Sequence, residues 1–428
     1  MSPTFASLKI YNYRIYWAGA LISNVGTWMG RVSQDWLVLT ELTDNSSTSL
    51  GVVTALQFLP VVLLAPYGGV LADRFAKRRI LAVTQSTLAL TSMLTGLLVV
   101  TGAVQLWHVY ALAFIMGCAT AADNPARQTF VAEMVPRDSL SNAVGLNSAS
   151  FNAARLVGPG VAGLVIAAWG TGVSFFVNTL SFVAVLFALF HMRVRELRPT
   201  PRVRSKGSLR EGARYVRGRP DIVLILVLIF MLGTFGMNFQ LTIAVMATEA
   251  FGKGAGEYGL LGSVMAVGSL AGALLAARRS HPRLRILLAA LAGFTVATLG
   301  AGLAPSYLWF AIFLVPSGLA AMTVMTAANS MVQLSVDPQM RGRVMSLYMA
   351  VFMGGTPIGA PVIGWIGEVW GPRWTILVGT AAVGISVVAA ILYLMRSENL
   401  HLRYQWQGRP RFVVTRDRVE LPEPQRAA

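Results

Sequence analysis

Twelve apolar blocks, each about as long as a helix that crosses hydrocarbon, limit what this chain can become. They lie at about residues 15–40, 49–72, 80–101, 106–129, 140–168, 172–192, 221–248, 257–277, 284–304, 307–334, 342–368 and 373–395. A helix of about 20 residues spans the ~30 Å apolar core of a bilayer. Transmembrane strands would be about half as long and would alternate in polarity. The expectation is an all-α membrane protein with twelve transmembrane helices in two six-helix halves. Only 12% of the residues are charged, against about a quarter in a soluble protein.

Charge then sets the orientation. The formal net charge is +17, but it is unevenly placed. With the N-terminus inside, the inner loops hold Arg74, Lys77, Arg78 and Arg79, the basic run from Arg193 to Arg219, then Arg278, Arg279, Arg283, Arg285, Arg341 and Arg343. The outer loops hold only Lys253 and Arg373. Loops rich in Lys and Arg stay cytoplasmic. Both termini are therefore expected inside a multi-pass protein of the cell (inner) membrane. The same asymmetry accounts for the high pI, and no nucleic-acid partner is expected. The first block is too long for a signal peptide, contains Arg31 and Asp35, and lacks a small-residue cleavage site. The single cysteine, Cys118, excludes an intrachain disulfide or a multi-cysteine metal site, and its place in an apolar span suits a protonated, space-filling thiol.

The chain divides at its charged middle. Residues 1–192 form the first half, 193–220 a basic cytoplasmic linker, 221–395 the second half and 396–428 a soluble cytoplasmic tail of mixed charge. Within the linker, Ser208-Leu209-Arg210-Glu211 has capping-box spacing, and Leu209, Ala213 and Val216 fall on one helical face. A short amphipathic helix on the inner membrane surface is expected, held by apolar contact and anionic lipid; a solvated linker is the alternative. The halves repeat weakly. An offset of 201 places Gly117 on Gly318, Leu146 on Leu347, Gly158 on Gly359 and Gly163 on Gly364. That pattern agrees with two halves related by an axis along the membrane normal.

Two motifs narrow the class. Between spans two and three, Gly69 is followed by Asp73, Arg74, Lys77, Arg78 and Arg79. This spacing resembles the loop signature of the major facilitator superfamily, with Ala76 where that family has Gly. In span five, Gly145, Ala154, Gly158, Pro159, Ala162 and Gly163 resemble the superfamily's antiporter motif, with Ala154 and Ala162 in place of Gly. Small residues there permit close helix contact, and Pro159 bends the helix. In the family this motif accompanies exporters. Asn124-Pro125-Ala126-Arg127-Gln128, the Glu133–Pro136 end of span four, Arg155 and Arg341-Gly342-Arg343-Val344-Met345-Ser346 resemble the bacterial branch containing the enterobactin exporter and macrolide efflux proteins. The resemblance covers about residues 10–395. It implies that Gly158 and Pro159 serve gating, as do Asp73, Arg74, Arg79 and Arg127. Asp73 is expected at the inner end of span two, received by the N-terminus of span eleven near Gly342, with Arg79 or Arg343 nearby. Asp73→Asn should then slow transport while leaving binding largely intact.

Ionisable residues inside spans are costly and should face a cavity or a partner. Asn24, Trp28, Arg31 and Asp35 fall within about 60° of one another at 100° per residue. Arg31 and Asp35 are four apart and can pair, as can Asp123 and Arg127. Ser148, Asn152 and Arg155 share a face of span five; Thr234, Asn238 and Thr242 share one of span seven. Spans three, six, nine and twelve carry no charge at depth, and in the resembled fold these are the lipid-facing helices. Candidate substrate-binding residues are Arg155, Asn152, Asn24, Trp28, Arg31 and Asn238, with Phe151 as a further pocket aromatic. Arg155 has no acid within its own turn, so it needs a carboxylate from another helix, a carbonyl or an anionic substrate. Asp35 and Asp123 are the candidates for proton coupling, because a carboxylate buried in one state and solvated in the other changes its pKa between them. For both charged pairs the alternative is a buried ion pair that only fixes helix packing.

No Gly-rich phosphate loop is present, and the four His lie near span ends or outside. A membrane-embedded enzyme is therefore not expected, nor a cofactor or a metal. The reading is a secondary active efflux transporter for a small, moderately hydrophobic molecule, driven by protons, with membrane lipid around a monomer. Uptake or lipid flipping by the same fold is the alternative.

Overall fold

The computed structural model describes residues 3–198, 209–277, 283–397, 400–405 and 411–416. Among these, ten helices are long and apolar enough to cross a membrane. One of them, Arg137–His191, runs 55 residues and contains two crossings. They separate at Gly170, whose φ of 81° lies where a residue with a Cβ is strained. The first helix, Tyr11–Trp36, stands outside the ten because Asn24, Arg31, Gln34 and Asp35 dilute its hydropathy. It supplies the remaining crossing, and the chain thus has twelve spans in two six-helix halves.

Span one is Tyr11–Trp36, prolonged by a wide turn over Leu37–Leu42; spans two, three and four are Ser47–Arg74, Lys77–Val100 and Leu106–Met134. Spans five and six are 137–169 and 171–191. Span seven is built from Pro220–Met231, Leu232–Gly236, Phe239–Val245 and Met246–Ala250. Spans eight, nine and ten are Ala255–Ala277, Leu284–Gly302 and Tyr307–Ser335. Span eleven is Arg341–Gly354 with Thr356–Trp370, and span twelve is Trp374–Ser397. Capping residues mark several starts. The Ser46 hydroxyl accepts from the Ser49 amide at 3.1 Å, and Gln105 and His108 satisfy each other's backbone at the start of span four. In the tail, β1 (Leu400–Gln405) and β2 (Arg411–Arg416) pair antiparallel, Leu400 opposite Arg416.

Small residues set the packing, as expected where lipid removes the hydrophobic drive between helices. Span one lies against spans five and six. A Cβ on Gly158 would stand 2.5 Å from the Trp28 Cβ, and one on Gly19 2.9 Å from the Ala184 carbonyl oxygen. The halves meet where span two crosses span eleven and span five crosses span eight. A Cβ on Gly51 would come within 2.5 Å of the Ala360 carbonyl, and one on Gly163 within 2.5 Å of the Ala255 carbonyl. These contacts belong to the face opposite the one that carries the N-terminus and the basic loops. Towards the basic face the helices diverge, and a Cβ on Gly145 or Gly342 would find open space. The halves are closed at the opposite face and parted at the basic one. Gly163→Leu should force spans five and eight apart at a cost of about 1–3 kcal/mol, as overpacking does. Thermal melting of the purified protein should register the loss.

Two expectations about placement are corrected. Span seven is not one regular helix, since wide turns shift its register and Asn238 has φ −86° and ψ 32°. Asn238 is 5% exposed and donates to the Thr234 carbonyl at 2.7 Å. It lies one turn from Thr234, against which span eleven packs at Gly359, and its Oδ1 is buried without a hydrogen-bond partner among the described residues. The linker helix, Leu209–Arg217, docks on protein. Its Gly212 lies against Arg343, Val216 is buried, Glu211 pairs with Arg343 at 2.9 Å, and the Tyr215 hydroxyl donates to Asp337 at 3.1 Å. Ser208 and the side chains of Leu209 and Arg210 lie outside the described residues.

Candidate functional site

Asp35 sits at the closed face and joins the two halves. It is 2% exposed, and its Oδ2 accepts from the Gln240 amide of span seven and from the Tyr258 hydroxyl of span eight, both at 2.8 Å. Trp36 stacks on Tyr258 with ring centroids 6.4 Å apart. A second tie lies nearby, where Glu368 of span eleven accepts from the Ser46 hydroxyl at 3.0 Å and the Thr48 amide at 3.1 Å. The expected Arg31–Asp35 pair does not form. Among the described residues no ion pair within 4.0 Å includes Arg31. The spacing permits that pair, but the carboxylate is turned across the interface to the other half.

One turn deeper, Trp28 collects two cations. The Arg31 guanidinium lies 5.0 Å and the Arg155 guanidinium 5.8 Å from its ring centroid. Phe151 meets the same indole edge-on at 6.1 Å and is half exposed. Arg155 enters no ion pair among the described residues. Pro159 lacks an amide proton, so the Arg155 carbonyl loses its intrahelical partner at this level. Asn24 reaches the Ser150 hydroxyl at 3.5 Å, and Asn152 donates to the Ser148 carbonyl at 2.9 Å. Spans one and five thus gather Arg31, Arg155 and Phe151 around Trp28, with Asn24 reaching span five at Ser150, while Asn152 bonds within its own helix.

Behind that cluster the first half holds a cavity of about 180 Å³, lined by Asn24, Arg31, Asp123, Arg127, Phe151 and Asn178 among others. Spans three and six contribute Thr91, Ser92, Thr95 and Phe182 to it. Those spans therefore present a polar face inward as well as an apolar face to lipid, a role that hydroxyls without charge did not announce. Asp123 is held tightly. It accepts from Thr84 at 2.7 Å and Gln85 at 2.8 Å and pairs with Arg127 at 2.9 Å.

Near the basic face, Lys77 and Glu133 form a buried ion pair at 2.6 Å, and the Arg78 Nε donates to the Leu189 carbonyl at 2.6 Å. Arg74 and Arg79 are exposed there. The Asp73 side chain lies outside the described residues. Arg343, expected near Asp73, is engaged by Glu211 in this state, in which the basic face is parted. Gly158 and Pro159 sit at the tight crossings of span five with spans one and eight, where a Cβ on Gly262 would stand 2.9 Å from the Pro159 Cβ. Removing one member of a buried ion pair costs about 3–5 kcal/mol. Lys77→Ala should therefore lower the melting temperature markedly, and Glu133→Gln added to it should recover part of the loss.

Sequence reasoning missed Gln240 and Tyr258, the partners of Asp35, and the Lys77–Glu133 pair. The one available signal was a polar residue on an otherwise apolar stretch, as at Gln240 and Tyr258, and it names no partner.

The whole architecture has close counterparts. A bacterial homologue of the human lysosomal transporter Spinster, solved inward-facing and unoccupied, superposes with a TM-score of 0.67 at 15% identity, covering 93% of this chain and 96% of that one. The staphyloferrin A transporter of Staphylococcus aureus is 23% identical over 88% of this chain and 94% of its own length. The enterobactin exporter of Escherichia coli is 23% identical over 78% of this chain and 80% of its own length. The family model described as "Transmembrane secretion effector" matches residues 2–418. The chain therefore belongs to this family of major facilitator superfamily transporters, multi-pass proteins of the cell membrane that move small molecules and are not enzymes.

Proposed function

We propose that this protein is a proton-coupled exporter with both termini in the cytoplasm. The observation that carries the reading is the pair of hydrogen bonds from Gln240 and Tyr258 to Asp35. A carboxylate that ties the halves together on one face must be released for that face to open. A titratable latch of this kind links protonation to alternating access around a mid-membrane site. Cargo enters from the basic, cytoplasmic face and meets Asn24, Trp28, Arg31, Asn152 and Arg155. Asp35 carries the coupling. Asp123 is already committed to three partners, and with Arg127 it serves the gate near the cytoplasmic end. Asp73, Arg74 and Arg79 act when the cytoplasmic face closes, and Gly158 and Pro159 give span five the close fit on which the outer seal depends. Export is favoured over uptake by the span-five motif and by the similarity to the enterobactin exporter of Escherichia coli. The protein works as a monomer in lipid, without cofactor.

The test is a substrate screen in a strain lacking its own efflux pumps. Expression should lower the cellular content of at least one small molecule and raise resistance to it, and an uncoupler should erase both effects. Accumulation on expression would mean uptake and would reverse the proposed direction.

A further inference from the structure

We propose that Arg31 is a shared partner: it holds an acidic group of the cargo while the outer face is closed and takes Asp35 when that face opens, which drives the cargo off. The direction of cargo movement in this scheme rests on the exporter reading; the anion seat does not.

The seat is read from three facts. Arg31 and Arg155 flank one indole at 5.0 and 5.8 Å, and no acid pairs with either among the described residues. Guanidinium groups inside a membrane span are expensive unless balanced by negative charge. Gln240 and Tyr258 are neutral donors, so Asp35 keeps its charge one helical turn from Arg31 even while the second half holds it. One carboxylate then faces two guanidinium groups, and an acidic group on the cargo would balance the second. A carboxylate fits, since guanidinium binds it through two parallel hydrogen bonds. The flat, half-exposed surface of Phe151 beside Trp28 suits an aromatic or planar body on the same molecule. The class is a small aromatic or planar organic acid.

The exchange follows from helix geometry. Opening the outer face pulls span one away from spans seven and eight and breaks both bonds to Asp35. Four residues separate Arg31 from Asp35 on the same helix, a spacing at which the side chains meet. Asp35, no longer held and ionised again once its proton has left, then replaces the cargo acid on Arg31, so affinity falls in the state from which cargo must leave. No new bond is made or broken covalently, and one ion pair replaces another.

The experiment uses the full chain in lipid nanodiscs, with benzoate, phthalate and trimesate as probes and their primary amides as controls. Binding is measured by calorimetry alongside thermal melting. At least one acid should bind wild type while its amide does not. Arg31→Gln and Arg155→Gln should each weaken that binding about ten-fold or more, and Arg155→Lys should weaken it although the charge remains. Asp35→Asn removes the competitor and should leave binding unchanged or tighten it. If a Gln variant melts early, Arg31→Lys takes its place, with the same weakening expected. The proposal is overturned if amides bind as well as acids, if no acid binds, or if Asp35→Asn weakens binding as much as Arg31→Gln. Flux of the same probes in vesicles separates the two readings. Binding without gradient-driven flux removes the exporter and keeps the seat, whereas pumping of a neutral compound without acid binding does the reverse.

Discussion

Asp35→Asn is expected to abolish gradient-driven export while the protein still folds and still exchanges cargo across the membrane without a gradient. Asn nearly keeps the volume of Asp, and its Oδ1 can still accept from Tyr258 or Gln240, so the outer closure survives. What disappears is the titration. With a latch that no longer answers to protons, the imposed gradient has nothing to act on, and the pH dependence of export should flatten. Reconstituted vesicles with and without a pH step measure both effects. Retention of the wild-type pH profile by the mutant would remove Asp35 from the coupling. Tyr258→Phe offers a milder companion, because it deletes one of the two bonds and leaves the carboxylate titratable. It should favour the outward-open state and keep export pH-dependent.

Asp123→Ala should be the most damaging substitution to the fold of the first half. It removes the acceptor of Thr84 and Gln85 and the counter-ion of Arg127, leaving a buried cation. Breaking a buried pair in this way costs about 3–5 kcal/mol. The melting temperature should drop by many degrees, and expression should fall with it. Asp123→Asn, which keeps an acceptor for Thr84 and Gln85, should lose less. If the Ala variant melted like wild type but failed to transport, Asp123 would be a coupling residue, and the assignment to packing and gating would be wrong.

The spans were legible because hydrocarbon imposes a length and a composition that a sequence cannot hide. Even the break between spans five and six is written in the chain, at Gly170, where the backbone turns left-handed. The stripe of Asn24, Trp28, Arg31 and Asp35 was legible too, since helical periodicity alone puts those residues together. Partner choice was not. Asp35 meets Gln240 and Tyr258 across 205 and 223 residues of sequence, so only the docking of the halves brings them together. The local spacing instead suggested Arg31, a true geometric option that the interface overrides in this state. The face of span seven was hard to project for a related reason. It was counted at 100° per residue through a stretch where the helix widens over Leu232–Gly236, and each wide turn moves the following residues off the projected face. The inward role of spans three and six was hidden because inward faces were sought by charge at depth, and Thr91, Thr95 and Asn178 carry none.

The central claim is that a proton gradient drives cargo from the cytoplasmic to the outer side. The most direct test loads inverted and right-side-out membrane vesicles with the cargo recovered by the screen and imposes a pH gradient of either sign. Proton-coupled export should give accumulation in inverted vesicles with an acidic lumen, no dependence on ATP, collapse on adding a proton ionophore, and none of this with Asp35→Asn. Accumulation that requires ATP, that survives the ionophore, or that occurs in right-side-out vesicles with an acidic exterior would contradict it.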